Sequence, residues 1–374
     1  MRRRTFITAM SAAVAFSGAV WHEAVASVSA GASPYGPLGA PDANGMALPS
    51  GFTGRVVARS GRSVGGILWH PAPDGGACFA DGTGWIYVSN SEVPLVGGAS
   101  AIKFRADGSI ERAYRILSGT SVNCAGGATP WNTWLSCEEI FRGRVHETCP
   151  LGGTARARPA MGRFKHEAAA CDPDHRVIYL TEDETDGCLY RFAPTTWGDL
   201  SSGRLDVLCA LSGDAVEWRQ VPDPQPGILS RQTRHQVSAA RHFNGGEGCH
   251  YAGGVCYFTA KGDRKVWAYD TARQTVTAIY DGTGTLDGVD NITGRPSGDL
   301  YVAEDGGNME INIITPDGVV APVMRLDGQS GSEITGPAFS PDGRRLYFSS
   351  QRGTSGESAG TGGITYEVTG PFRR

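Results

Sequence analysis

One short strand pattern recurs along the chain and ends each time in a polar or acidic step. It reads WIYVSNSE from Trp85, TWLSCEE from Thr133, VIYLTEDE from Val177, VCYFTAKGD from Val255, LYVAEDGG from Leu300 and LYFSSQRG from Leu346. The spacing is about 45 residues, except for one gap of nearly 80. A fixed period of this size, with several short strands per unit, is the signature of propeller blades. The repeat predicts an all-β, six-bladed β-propeller over 51–374, with an insertion at about 196–242 accounting for the long gap. Each unit divides into four strands, as in HEAAACD, VIYLTED, CLYRFAP and RLDVLCAL of the third. The last unit ends at ITYEVTG without a fourth strand, so the early segment from Thr53 to Ala58 is expected to supply it and close the ring. Turn dipeptides such as Asp107-Gly108, Asp317-Gly318 and Asp342-Gly343 punctuate the units, and the 53 glycines fit many tight turns. The only candidate helix beyond the N-terminal leader is 231–242.

The N-terminus reads as an export signal. A basic start, Arg3-Arg4-Thr5-Phe6-Ile7, precedes an apolar run from Ala9 to Val20 and a small-residue step at Val28-Ser29-Ala30. This is the pattern of a twin-arginine signal over 1–30, with the mature chain starting near Gly31. The expected partner is the twin-arginine export machinery and the expected location is extracytoplasmic, periplasmic or secreted. The apolar run is too short for a stable membrane anchor. Residues 31–50, rich in Pro, Gly and Ala, read as a linker. The net charge of −4 gives no electrostatic basis for holding nucleic acid. The nine cysteines are an odd number. Cys249 with Cys256, and Cys188 with Cys209, could each pair within a blade, and connectivity stays open.

In a propeller the first strand of each blade lines the central channel, and it begins on the face where the second strand ends. Those two positions carry Asn123, Glu167, Glu247, Asp290 with Asn291, and Glu333 on first strands. They carry Glu92, Glu138 with Glu139, Glu182 with Asp183, Lys261, and Glu304 with Asp305 on second strands. Carboxylates crowded at one mouth repel unless protons or cations neutralise them, and hard oxygen donors in this number suit calcium. Cys137, in Ser136-Cys137-Glu138-Glu139, has two readings: an inert core cysteine, or a thiolate ligand for a softer ion such as iron. His166 is expected to fill the strand beside Glu167. Gly-x-Ser-x-Gly, P-loop and His-Glu-x-x-His patterns are missing, so three common hydrolase chemistries have no support.

Several motifs in order resemble the PhoX-type alkaline phosphatase family. They are Asn123-Cys124-Ala125-Gly126-Gly127 with Thr129-Pro130-Trp131, then Trp134-Leu135-Ser136-Cys137-Glu138-Glu139, GRFKHEAA from Gly162 and LTEDETDG from Leu180. GGEG from Gly245, DNI from Asp290, AEDGG from Ala303 and SEITGPAFSPDG from Ser332 complete the set. The resemblance covers the chain from about Gly51 to its end. It implies a propeller with calcium and iron at one mouth, hydrolysing small phosphorylated substrates outside the cytoplasm. It further implies Cys137 as an iron ligand; Glu138, Glu139, Glu167, Asp183, Glu247, Asp290 and Glu304 as metal ligands; and Asn123 as a phosphate contact. Glu92, Asn291 and Glu333 join the metal candidates from their strand ends. The chain departs from the family at Gly245, where an arginine is expected two positions before Glu247, leaving Lys261, Arg352 or Arg241 to hold the phosphoryl group. Two alternatives remain at this point: a calcium-dependent lactonase-like propeller, through Asp290-Asn291, and a non-catalytic, metal-stabilised binding propeller.

Overall fold

The computed structural model describes residues 28–356 and 362–374, and places six sheets in a ring around a central channel. Blade one is Pro73–Asp81, Gly84–Ser91, Gly97–Phe104 and Ile110–Thr120, from channel to periphery. Blade two is Asn123–Ala128, Trp134–Glu138, Val145–Thr148 and Arg156–Ala157. Blade three is His166–Asp172, Val177–Glu182, Gly187–Thr196 and Asp199–Ala210. Blade four is Gly246–Ala252, Val255–Ala260, Lys265–Asp270 and Thr275–Tyr280. Blade five is Val289–Gly294, Leu300–Glu304, Glu310–Ile314 and Val319–Leu326. Blade six is Ile334–Phe339, Arg345–Ser350 and Ile364–Thr369, and its outer strand is the early segment Thr53–Arg59, paired from Thr53↔Thr369 to Arg59↔Ile364. The ring is thus closed by strands from both ends of the chain, as the missing fourth strand predicts.

The core lies between blades. Five of the six second strands carry a buried tyrosine, Tyr87, Tyr179, Tyr257, Tyr301 or Tyr347, and that of blade two has Leu135 in its place after the buried Trp134. Tyr87 of blade one stacks on Tyr347 of blade six at 4.9 Å, joining first and last blades. Burying such a side chain stabilises the fold by about 2–3 kcal/mol.

Two expectations are corrected and one open question is answered. Residues 31–50 are fastened to the propeller instead of forming a free linker: Met46–Ala47 pairs with Val319–Leu326, and Met46 and Ala47 are buried. The insertion builds a fifth strand on blade three, Val216–Gln220, and the candidate helix is only a 3-10 turn, Thr233–His235. All nine cysteines are free. Cys249 and Cys256 approach to 3.4 Å between sulfurs, whereas Cys188 faces His242 Nδ1 at 3.5 Å and Cys209 contacts the Val207 carbonyl. The twin-arginine motif and its apolar run lie outside the described residues. Among the described residues no helix is long and apolar enough to cross a membrane.

All six inner strands share an irregularity that positions the site. Near the mouth each carries one extra residue against its neighbour, between Pro73 and Gly76, Asn123 and Gly126, His166 and Ala169, Gly246 and Cys249, Val289 and Ile292, and Thr335 and Ala338. A bulge of this kind bends the strand and re-aims a side chain. In five blades the first bulged residue is Asp74, Cys124, Glu167, Glu247 or Asp290; in blade six it is Gly336. The next residue is small wherever the neighbouring blade comes closest. A side chain at Gly75 would meet the Ala125 Cα at 2.5 Å.

Candidate metal centre

The bulged residues and the second-strand ends converge on one mouth. Ligand-type atoms fall into four overlapping groups, each within 4.8 Å: Asp74–Glu92–Cys124, Cys124–Glu139–Glu167, Glu167–Glu247–Asp290, and Asp290–Asp305–Glu333. Cys124, Glu167 and Asp290 are each shared by two groups, so the set forms a continuous arc. Glu167 is fully buried, and neither carboxylate oxygen has a hydrogen-bond partner. A carboxylate cannot stay ionised there without a cation, because desolvation alone costs several kcal/mol.

The proton affinities follow. Burial, then the Glu247 and Glu139 charges, lift the Glu167 carboxyl well above its usual range. Burial and neighbouring acids push Asp74 up to about 6 and Glu92 up to about 10. Burial raises Glu247 to about 8 against the pull of Lys261. Asp290 and Glu333 are lifted strongly by burial, followed respectively by Glu247 and Asp305. The Cys124 thiol is raised by burial, then by Asp74 and Glu167.

Three cationic side chains reach into this acidic field. Lys165 Nζ lies 2.8 Å from Glu139 and 2.7 Å from Asp183; Lys261 Nζ lies 2.9 Å from Glu247 and 3.3 Å from Asp305. Arg352 Nη2 contacts Glu333 at 3.0 Å. Gln351 Nε2 donates to Asp74 at 2.6 Å and also to Glu92, tying those two acids together. Gly245 adopts a left-handed backbone, φ 70°, and a Cβ there would lie 3.3 Å from Asp183 Oδ1. The position of the expected arginine therefore opens between Asp183 and Lys261.

Of the sequence candidates, the structure brings Glu92, Glu139, Glu167, Asp183, Glu247, Asp290, Glu333, Lys261 and Arg352 together. It turns others away. Cys137 is fully buried among Leu135, Val145, Phe164 and Leu180, because the second strand points it into the core between blades; the cysteine at the arc is Cys124. Asn123 precedes the bulge and is consumed internally: its Oδ1 accepts from Thr120 Oγ1 at 2.6 Å and its Nδ2 donates to Ser136 Oγ at 2.9 Å. Glu138 turns to His146 at 3.3 Å and to the N–H groups of Ser121 and Arg144; those contacts outweigh burial and hold its carboxyl low. Glu304 folds back onto the N–H groups of Asp287 and Glu310. Asn291 donates to Asp290 at 2.8 Å and accepts from Gly336 N at 2.5 Å, so it positions a ligand and bridges to blade six. Arg241 covers the rings of Phe243 and Trp267. Asp74, Cys124, Lys165 and Gln351 were not foreseen, while Asp305, expected beside Glu304 at its strand end, joins the arc where Glu304 does not. The signal for the first two was an acid or thiol followed by small residues, as in Asp74-Gly75-Gly76, Cys124-Ala125-Gly126 and Glu167-Ala168-Ala169.

The family description "Alkaline phosphatase PhoX" matches this chain over residues 86–156, 152–275 and 265–353. Among solved structures, PhoX of Pseudomonas fluorescens, in complex with vanadate as a transition state analogue, is 18% identical with a TM-score of 0.72, covering 91% of this chain and 98% of its own. A protein of unknown function from Bacteroides thetaiotaomicron is 10% identical with a TM-score of 0.52, over 85% of this chain and 76% of that one. The calcium-binding protein regucalcin from Agrobacterium tumefaciens is 14% identical with a TM-score of 0.51, over 86% and 96%. No curated protein matches the chain. At these identities the structural likenesses speak for the fold, while the family match spans most of the propeller. With the repeats, the closed ring and that match in hand, the chain belongs to the PhoX alkaline phosphatase family.

Proposed function

We propose that the protein is a metal-dependent phosphomonoesterase acting outside the cytoplasm after twin-arginine export. The observation that carries the metal reading is Glu167, buried, with both oxygens unpartnered and other carboxylates around it. The donor set fits two kinds of ion. Asp74, Glu92, Glu139, Glu167, Glu247, Asp290, Asp305 and Glu333 offer the hard oxygens calcium takes, and Cys124 offers a soft donor suited to iron. Bound metal would supply Lewis-acid and charge stabilisation for the phosphoryl group. The chain's own part is to hold that group and to balance charge. Lys165, Lys261 and Arg352 rest on the acids Glu139, Asp183, Glu247, Asp305 and Glu333. With a cation held on those acids, these side chains would be free to hold phosphoryl oxygens, taking the place of the arginine that Gly245 lacks. The buried ring also keeps the carboxylates dry, which strengthens each charge contact.

The lactonase-like reading loses its footing because the Asn291 amide is engaged at both ends. The test is hydrolysis of 4-nitrophenyl phosphate by purified protein, before chelation, after it, and after return of calcium and iron. The expected result is loss and recovery of turnover with the metals. Equal rates in all three samples, or no turnover in any, would overturn the reading.

A further inference from the structure

Five of the eight exposed large hydrophobic side chains among the described residues stand on the rim of the acidic mouth: Leu95, Val96, Phe141, Ile228 and Leu229. Single exposed apolar residues mean little, but a cluster beside a site marks binding. The loops that carry them are laced together. Val122 N donates to Val93 O at 3.0 Å, Leu95 N to Ser121 Oγ at 3.0 Å, and Glu139 N to Val122 O at 2.8 Å. Glu92 lies three residues before Leu95, and Glu139 two before Phe141. The tip of the blade-three insertion is brought over the same loops by Arg142. That side chain is buried, donates to Pro226 O at 3.2 Å and Ser230 O at 2.6 Å, and lies 4.9 Å above the Phe141 ring. The tip so held presents Ile228 at 75% and Leu229 at 100% exposure. A desolvated guanidinium whose two terminal nitrogens are held by loop carbonyls fixes a shape, so the apolar tip is placed, not frayed.

Below the arc the channel narrows to a chamber of about 40 Å³ lined by Gly75, Ala125, Ala168 and Gly248. That volume holds about a water and no organic group. An ester whose phosphate sits at the arc must send its alcohol portion upward, across the rim.

We propose that this rim receives the alcohol portion of the substrate and selects phosphomonoesters of bulky apolar or aromatic alcohols over those of small polar ones. The proposal rests on the phosphomonoesterase reading above. Apolar contacts of this kind discriminate by about tenfold or more for each well-seated group. The test compares kcat/KM for 2-naphthyl phosphate and glycerol phosphate with metal-loaded protein. The wild type should prefer the naphthyl ester by about tenfold or more. Phe141→Ser and the double variant Ile228→Ser/Leu229→Ser should each lower that ratio several-fold, mainly through KM. Leu211→Ser, in the turn between the fourth and fifth strands of blade three, should leave it in place. A circular dichroism spectrum like that of the wild type checks that each variant is folded. A ratio near one in the wild type, or one that the rim variants do not move, overturns the proposal alone. So does an unmoved ratio joined to rim-dependent sedimentation with phosphatidylcholine vesicles, which would assign the rim to a lipid surface. Turnover of neither ester overturns the phosphomonoesterase reading and this proposal with it.

Discussion

The two ends of the channel are built from the same six strands, and they share almost no chemistry. Near the mouth the strands carry Asp74, Cys124, Glu167, Glu247 and Asp290, all buried except the half-buried Cys124. At the other end the same strands offer Cys78, Ala170, Cys171, Tyr251, Gly294 and Phe339 around a chamber of about 380 Å³. The mouth residues are the more deeply buried, whereas Cys78, Cys171, Tyr251, Gly294 and Phe339 are half-buried. The bulge sets the chemistry apart, because it turns one extra side chain toward the axis at the mouth and the inner strands have no second bulge below. Blade six sharpens the point. It keeps the bulge but places Gly336 there, and its acid, Glu333, comes from just before the strand. The fold supplies six equivalent positions, and five are used.

The strongest way to break this comparison is to change both ends of one strand. Glu167→Gln keeps size and removes the charge that two ligand groups share. Loss of an outer-shell partner alone costs about 10–100-fold in metal affinity or activity, so loss of this carboxylate should cost at least about 100-fold in phosphatase activity and leave less metal bound. Cys171→Ser, four residues along the same strand, should change activity by less than about twofold, since surface-like substitutions away from a site are nearly neutral. Similar losses in both variants would mean that the two ends are functionally continuous.

Most of this was legible in the sequence, for a reason that also explains the misses. The period of the second strands reveals blades without any structure, because each blade needs the same buried aromatic strand. The ends Glu92, Glu139 and Asp183, and the acids Glu167, Glu247, Asp290 and Glu333, follow from that count. Alternation fails where a strand gains a residue. Asn123 and Cys124 are neighbours, but the bulge sends the thiol to the arc and leaves the amide inside. Cys137 looked like the metal cysteine because two glutamates follow it, and of those only Glu139 faces the mouth. The strap 31–50 was hidden by its Pro- and Gly-rich composition, since a few anchors such as Met46 and Ala47 hold it.

A second expected effect concerns protons. In chelated protein the folded state holds protons on Asp74, raised to about 6, and Glu247, raised to about 8. The unfolded chain has released them above the ordinary carboxylate pKa near 4. The native state then binds more protons than the unfolded one, so its stability falls as pH rises from about 5 to 8, by several kcal/mol in aggregate. The Tm of chelated protein should be lower at pH 8 than at pH 5. Metal-loaded protein should not show this fall, because cations replace the protons and bind only the folded site. A Tm of chelated protein that is flat or rises across this range would show that the ring is not strained by its own charge.

The smallest effect separates the two cysteines of blade two. Cys124→Ser should lower the metal content, above all of iron, because a hydroxyl is a poorer donor to a soft ion. Cys137→Ser places that hydroxyl among Leu135, Val145, Phe164 and Leu180, with no mouth carboxylate in reach. Burying an unsatisfied hydroxyl costs about 1–3 kcal/mol, so the urea midpoint should fall while metal content and turnover stay as they were. The two substitutions are chemically identical and lie on adjacent strands, so packing and ligation are the only variables. If iron is lost from Cys137→Ser and kept in Cys124→Ser, the bulge does not choose the ligand, and the contrast between the channel's two ends loses its cause.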